Sequence, residues 1–122
     1  MKPNKKRKYV HHRDRSRIAF NGEKYGKGKL VLAVVEKYVA DHPGITYDEL
    51  KAKFPDNLHS LGIIQPVKVA KAKSKDHQRF HKQVIKLADA VIAVCSDFGI
   101  NNIRPFLKNA RTIGYNVRLV AA

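Results

Sequence analysis

The chain has 122 residues, with 25 Lys+Arg against 10 Asp+Glu and a formal net charge of +15. Its length suits one domain, and a hydrophobic fraction of 43% is enough for a small core. No apolar run approaches the ~18–20 residues of a membrane span, the N-terminus lacks the apolar segment of a secretory signal, and a lone Cys95 excludes an intramolecular disulfide. These features indicate a soluble, intracellular, strongly cationic domain whose partner is a polyanion.

Residues 1–17 hold Lys2, Lys5, Lys6, Arg7, Lys8, Arg13, Arg15 and Arg17 against Asp14 alone. Like charges repel and only Tyr9 and Val10 offer apolar surface, so 1–17 reads as a disordered basic arm preceding a folded domain over 18–122. In Ile18–Tyr25, Asn21-Gly22 separates two short β-prone runs, the strongest local signal for a hairpin. Leu30, Val31, Val34, Val35, Tyr38 and Val39 then recur at helical period and predict a helix over 28–41, stopped by His42-Pro43-Gly44. Thr46 and Glu49 spell a capping box for a second helix, with Leu50 and Phe54 buried and Pro55 as its end.

Between 56 and 75, Gly62 and Pro66 argue against one long segment. The expectation is a turn to Gln65 and then a helix with Pro66 at its first position; the alternation of Lys71, Lys73 and Lys75 with small residues is the competing strand reading. From Arg79 the pattern is β-like, with a hairpin turning at Ala88-Asp89, broken after Cys95 by Asp97-Phe98-Gly99. Asn101 or Asn102 is expected to cap a helix that carries Ile103, Phe106, Leu107 and Ala110 to a stop at Gly114, and Tyr115–Val120 closes the chain as a strand. This order gives an α+β, winged-helix-like domain: hairpin, two to three helices, a β-hairpin wing, then a helix and a strand.

The strings FNGEKYGKGKLVLAVVEKYV, HPGITYDELKAKFPDNL, VIKLADAVIAVCSDFGINNI and FLKNARTIGY resemble a small domain of bacteria and their phages, found alone or beside restriction-type enzyme modules. The likeness covers about residues 18–117; Ala88-Asp89-Ala90 departs from it where a glycine-containing turn is expected. It implies a bacterial or phage setting with DNA nearby, hence cytoplasm or nucleoid, and transfers no catalytic residue.

Two regions beyond the arm carry the candidate chemistry. In Tyr25-Gly26-Lys27-Gly28-Lys29 the glycines and the helix N-terminus suit a phosphate, with Lys27 and Lys29 adding charge; it is not a nucleotide P-loop, since G-x-x-x-x-G-K-S/T is missing. Lys68, Lys71, Lys73, Lys75, Arg79 and Lys82 form the second region. Lysine dominance favours phosphate contact with low sequence specificity, because the base-reading side chains there are only Arg79, Gln65, Gln78 and Gln83.

His77-x-x-x-His81 has zinc-like spacing but no further ligands, and no metal or cofactor is expected. Glu49-Leu50-Lys51 has a nuclease-like E-x-K spacing but falls on a helix. Cys95 sits in an apolar β run without a base that the sequence places beside it, so it reads as packing. Phe20, Tyr38, Phe54 and Phe106 are core by periodicity, while Tyr9, Tyr25 and Phe80 are candidates for exposed stacking. The expectation is a non-enzymatic protein that binds double-stranded DNA, acting on a host chromosome or its transcription. An RNA-binding or ribosome-associated role, and a protein module that inhibits a host or restriction enzyme, are the alternatives.

Overall fold

A computed structural model of the protein describes residues 15–120. The Asn21-Gly22 turn joins β1 (Arg17–Phe20) to β2 (Glu23–Tyr25), with Phe20 paired to Glu23 across a two-residue loop. Both turn residues have positive φ, 54° and 84°, the conformation a type I′ turn requires. β6 (Val117–Val120) returns from the far end of the chain to the other side of β1, making an antiparallel sheet of order β2-β1-β6. Ile18, Phe20 and Val117 face inward from it and are buried.

Helix α1 (Lys27–Asp41) buries Leu30, Val31, Val34, Val35 and Tyr38, the stripe that its periodicity predicts. It ends where His42 stacks on Tyr38, with ring centroids 4.0 Å apart. Helix α2 (Tyr47–Lys53) starts with the expected capping box: Glu49 N–H donates to Thr46 Oγ1 and Thr46 N–H to Glu49 Oε1. Leu50 and Phe54 are fully buried, and Phe54 stacks on Phe106 at 5.8 Å.

A 3₁₀ turn (Asp56–Leu58) leads to β3 (Ile64–Pro66), a strand that the sequence did not predict. Pro66 is therefore the last strand residue and the cap of α3 (Val67–Lys73), one position earlier than expected, and the helical reading of this stretch holds over the strand reading. β4 (Phe80–Lys86) and β5 (Val91–Cys95) form the predicted hairpin. The second sheet has order β3-β5-β4, all antiparallel. Its inner face, with Ile64, Ile85, Ile92 and Val94, joins α1, α2 and the first sheet in the main core. On its outer face Ala93, Phe80 and Cys95 meet Ala70 of α3, where two alanines let helix and sheet approach closely. Phe80 is thus 4% exposed and unavailable for stacking, because its strand register turns it under α3.

Helix α4 (Arg104–Ile113) buries Phe106, Leu107 and Ala110 and stops at Gly114 in the left-handed region, as expected. Neither asparagine caps it: Ile103 holds the cap position, and Asn102 Oδ1 accepts instead from Gly99 N–H at 2.7 Å. The result is an α+β fold with four α-helices and two small antiparallel sheets among the described residues. No helix among them is long and apolar enough to cross a membrane.

Candidate nucleic-acid interface

Lys5, Lys6, Arg7, Lys8 and Arg13 lie outside the described residues. Arg15 and Arg17 are exposed, the latter already inside β1. Lys29 is exposed on the first turn of α1, while Lys27 is half-buried and its Nζ donates to Ser16 O at 3.0 Å. Lys68, Lys71 and Lys73 are exposed on α3, and Lys75 on the link to β4. Arg79 is partly covered and its Nη1 lies 3.4 Å from Asp97 Oδ2.

The two lysine groups, distant in sequence, are joined by an irregularity in β4. Phe80 pairs with Cys95 but Val84 with Ala93, so three residues, 81–83, stand opposite Val94 alone. Such a bulge bends the strand and re-aims its side chains. His81 Nε2 donates to Gly28 O at 2.8 Å, and Gln83 Nε2 donates to Glu36 on the same helix. The bulge is thereby fastened along α1 from Gly28 to Glu36, with Lys82 exposed on it.

A groove on each side uses this bulge as a wall. One, of about 370 Å³, runs beside α1 and is lined by Tyr25, Lys29, Glu36 and Lys82 among others. The second, also about 370 Å³, lies between α3 and β4, with Lys71 and Lys82 at its rim and Ala70, Val84 and Ala93 within it. It exists because α3 packs on β3 and β5 and covers β4 only at Phe80, leaving its outer face bare beyond the bulge, so that Val84 is 46% exposed. Lys29, Lys82 and Lys71 thus form one cationic series across two grooves.

Carboxylates gather at the opposite end of α1. Asp41 closes the helix in a pair with Lys37, which holds its carboxyl below the usual value; Asp48 and Glu49 occupy the first turn of α2. Asp89, at the β4–β5 turn, accepts from Tyr47 N–H at 2.8 Å, and Ala88 N–H donates to Ile45 O. The hairpin tip is therefore tied to the start of α2. The first turn of α1 holds no acidic residue, and its helix dipole adds positive potential at the basic end.

The expected close approach of a phosphate at Gly28 meets a different use of that glycine. A Cβ there would sit 2.8 Å from Ser96 O, so the missing side chain makes room for the chain that follows β5. The four side chains of base-reading type in this region are all engaged within the protein. Gln65 is buried and donates to Leu61 O, Gln78 donates to Phe80 O, Gln83 holds Glu36 and Arg79 meets Asp97.

The sequence also gave no hint that His59 lies beside Cys95, with Nδ1 4.0 Å from Sγ. His59 Nε2 donates to Asp97 O, while its Nδ1 accepts from Leu61 N–H at 3.0 Å. The ring's basic nitrogen is thus already occupied. Burial of Cys95 pushes its thiol up to about 11, the reverse of what a nucleophile needs. This contact fastens the 3₁₀ turn to the 97–102 loop, and the packing reading of Cys95 agrees with its full burial. Among the described residues no group of three His, Cys, Asp or Glu is placed to hold a metal ion.

Compared with known proteins, the chain matches no family model, no curated protein and no solved structure.

Proposed function

We propose that this protein binds double-stranded DNA through its backbone phosphates, with little sequence preference and without acting as an enzyme on it. The observation that carries the reading is the β4 bulge, which sets Lys82 between Lys29 and Lys71 on adjoining grooves. Among the described residues Glu36 is the one carboxylate that lines them, and it accepts a hydrogen bond from Gln83. Phosphate contacts need only charge in register, and each one releases counterions; base reading needs free bidentate side chains, which here are occupied.

In a winged-helix arrangement α3 and the β4–β5 hairpin would face the duplex together. Because the hairpin tip is fastened to α2, the contact runs along the bulge of β4 and not through the tip. The basic segment 1–17 would extend the same footprint as an arm. A setting in the bacterial cytoplasm or nucleoid, with a phage-encoded or restriction-associated role on the host chromosome or its transcription, follows from the resemblance of residues 18–117.

The test is fluorescence anisotropy of the full chain on a labelled duplex across a salt series, against a variant with Lys29, Lys71 and Lys82 changed to Gln. Each lost phosphate contact makes the slope of log K against log[salt] shallower by about 0.9, so the triple variant should lose about 2–3 units. An unchanged slope and affinity would refute the assignment. Competition by RNA more strongly than by duplex would transfer the site to RNA.

A further inference from the structure

The strand register of the first sheet places a second group of cations on the face turned away from α1. Ala19 of β1 is paired with Lys24 on one side and Arg118 on the other, so the three stand in one row across the sheet. Side chains alternate between faces along a strand. Ile18 and Phe20 point into the core, so Ala19, and Arg17 two residues before it, belong to the outer face. Adjacent strands lie about 4.8 Å apart, which puts the backbones of Lys24 and Arg118 about 10 Å from one another with a single methyl group between them.

A shallow cleft of about 300 Å³ occupies this face, lined by Ala19, Asn21, Lys24, Asn116 and Arg118 with Glu23 at its margin. Lys24, Arg118, Asn21 and Asn116 are all exposed, and their side chains have no hydrogen-bond or ion-pair partner among the described residues. Glu23 stands at the edge of the cleft and bonds neither cation. Two cations and two amides therefore converge on a floor made low by alanine. That is the donor set for phosphate oxygens: charge from Lys24, a fork of N–H groups from Arg118, and neutral donors from the asparagines. Arg17 continues the row along β1, so a linear polyanion engages the whole set where a small ion would engage only part.

We infer that the outer face of the β2-β1-β6 sheet is a second phosphate-binding surface for a nucleic-acid duplex, built on Lys24, Arg118 and Arg17 around Ala19. The inference shares with the proposed function only the class of ligand, since none of these residues lines the grooves beside β4. It gives the protein a second surface for the duplex besides the grooves beside β4.

The test uses the full chain and the duplex salt series with four variants: Lys24→Gln with Arg118→Gln, Lys71→Gln with Lys82→Gln, these four substitutions combined, and Glu23→Gln. Removal of two phosphate contacts predicts a slope shallower by about 1.8 for the sheet variant, in the parent and again in the Lys71/Lys82 background. Glu23→Gln should tighten binding at low salt and lose the gain at high salt. All these positions are exposed, and far-ultraviolet circular dichroism verifies that each variant is folded. A sheet variant with the parental slope overturns the inference, whatever the Lys71/Lys82 variant does. A Lys71/Lys82 variant with the parental slope beside a weakened sheet variant upholds it and refutes the proposed interface instead. Absence of duplex binding by the parent overturns both.

Discussion

Gly28→Ala separates two uses of the glycine that opens α1. If Gly28 were there to admit a phosphate, alanine would leave the fold intact and weaken DNA binding. The structure argues for packing: the added Cβ would lie 2.8 Å from Ser96 O and 3.5 Å from Ser96 C and Cα. These are backbone atoms, and they cannot swing aside. Ser96 N–H donates to Arg79 O at 2.9 Å and Ser96 O accepts from Phe98 N–H, so its peptide groups are held on both sides. Overpacking of this kind costs about 1–3 kcal/mol. Alanine in place of glycine recovers up to about 1 kcal/mol in a helix interior and less in a first turn. The net expectation is a loss of about 1–2 kcal/mol, or about 4–10 °C in Tm for a domain of this size. Gly26→Ala is the control, with no atom within 4 Å of its Cβ and a backbone at φ −64° that alanine adopts freely. It should stay within about 1 kcal/mol of the parent. Thermal and urea unfolding of both variants decide the matter. If Gly28→Ala is as stable as the parent while its duplex affinity falls, the packing argument is wrong and the phosphate reading of the helix entry is right.

Thr46→Ala removes the hydroxyl that accepts from Glu49 N–H and should cost about 1 kcal/mol, read as a lower urea midpoint with unchanged slope. Burial pushes the Cys95 thiol up from 9.0 to about 11, and burial followed by the charge of Asp41 pushes the Tyr115 hydroxyl from 10.0 to about 12. A raised folded-state value means that the stability it represents is complete below the unfolded value and disappears as pH climbs through the folded one. Stability should therefore fall between pH 9 and 11 for Cys95, by about 2–3 kcal/mol at most. Cys95→Ala should flatten that part of a pH series of urea midpoints; an equally steep fall in the variant would show that the thiol is not its source.

What could be read from the sequence was whatever a few adjacent residues decide. Asn21-Gly22, the Leu30-to-Tyr38 stripe, the Thr46–Glu49 box and the Gly114 stop each fix their own geometry through φ preference, periodicity or a local hydrogen bond, and each stands where expected. β3 has no such signal. Ile64-Gln65-Pro66 is extended because it pairs with Val94, Ala93 and Ile92, thirty residues away in the chain, to within a few. The capping of α4 failed for a related reason: Asn102 is drawn to Gly99 N–H and Asp97 O beside His59, a contact made by tertiary structure. Phe80 looked exposed because its neighbours Arg79, His81 and Lys82 are polar, yet the bulge begins at Phe80 and turns it beneath Ala70.

For the candidate site, composition reveals how much positive charge there is, while folding decides where it acts. Ion pairs between exposed groups contribute little to stability, so Lys37–Asp41 and Arg79–Asp97 matter here mainly for the charge they neutralise. The remaining carboxylates near α1 are spent on local tasks: Glu49 on the capping box, Asp89 on Tyr47 N–H, Glu36 on Gln83. Each task fixes a carboxylate in place: Glu49 and Asp89 at the start of α2, Glu36 on the wall of the groove beside α1. Lys29, Lys82 and Lys71 on one side, and Lys24, Arg118 and Arg17 on another, are left without partners among the described residues by the same process. A chain of the same composition with its acids interleaved among these lysines would carry equal net charge and a much weaker local field, and the strength of attraction to a polyanion depends on that field. Adding one carboxylate in the row, as Ala19→Glu would do between Lys24 and Arg118, should therefore weaken duplex binding more than the loss of one exposed lysine elsewhere, although each change lowers the net charge by one.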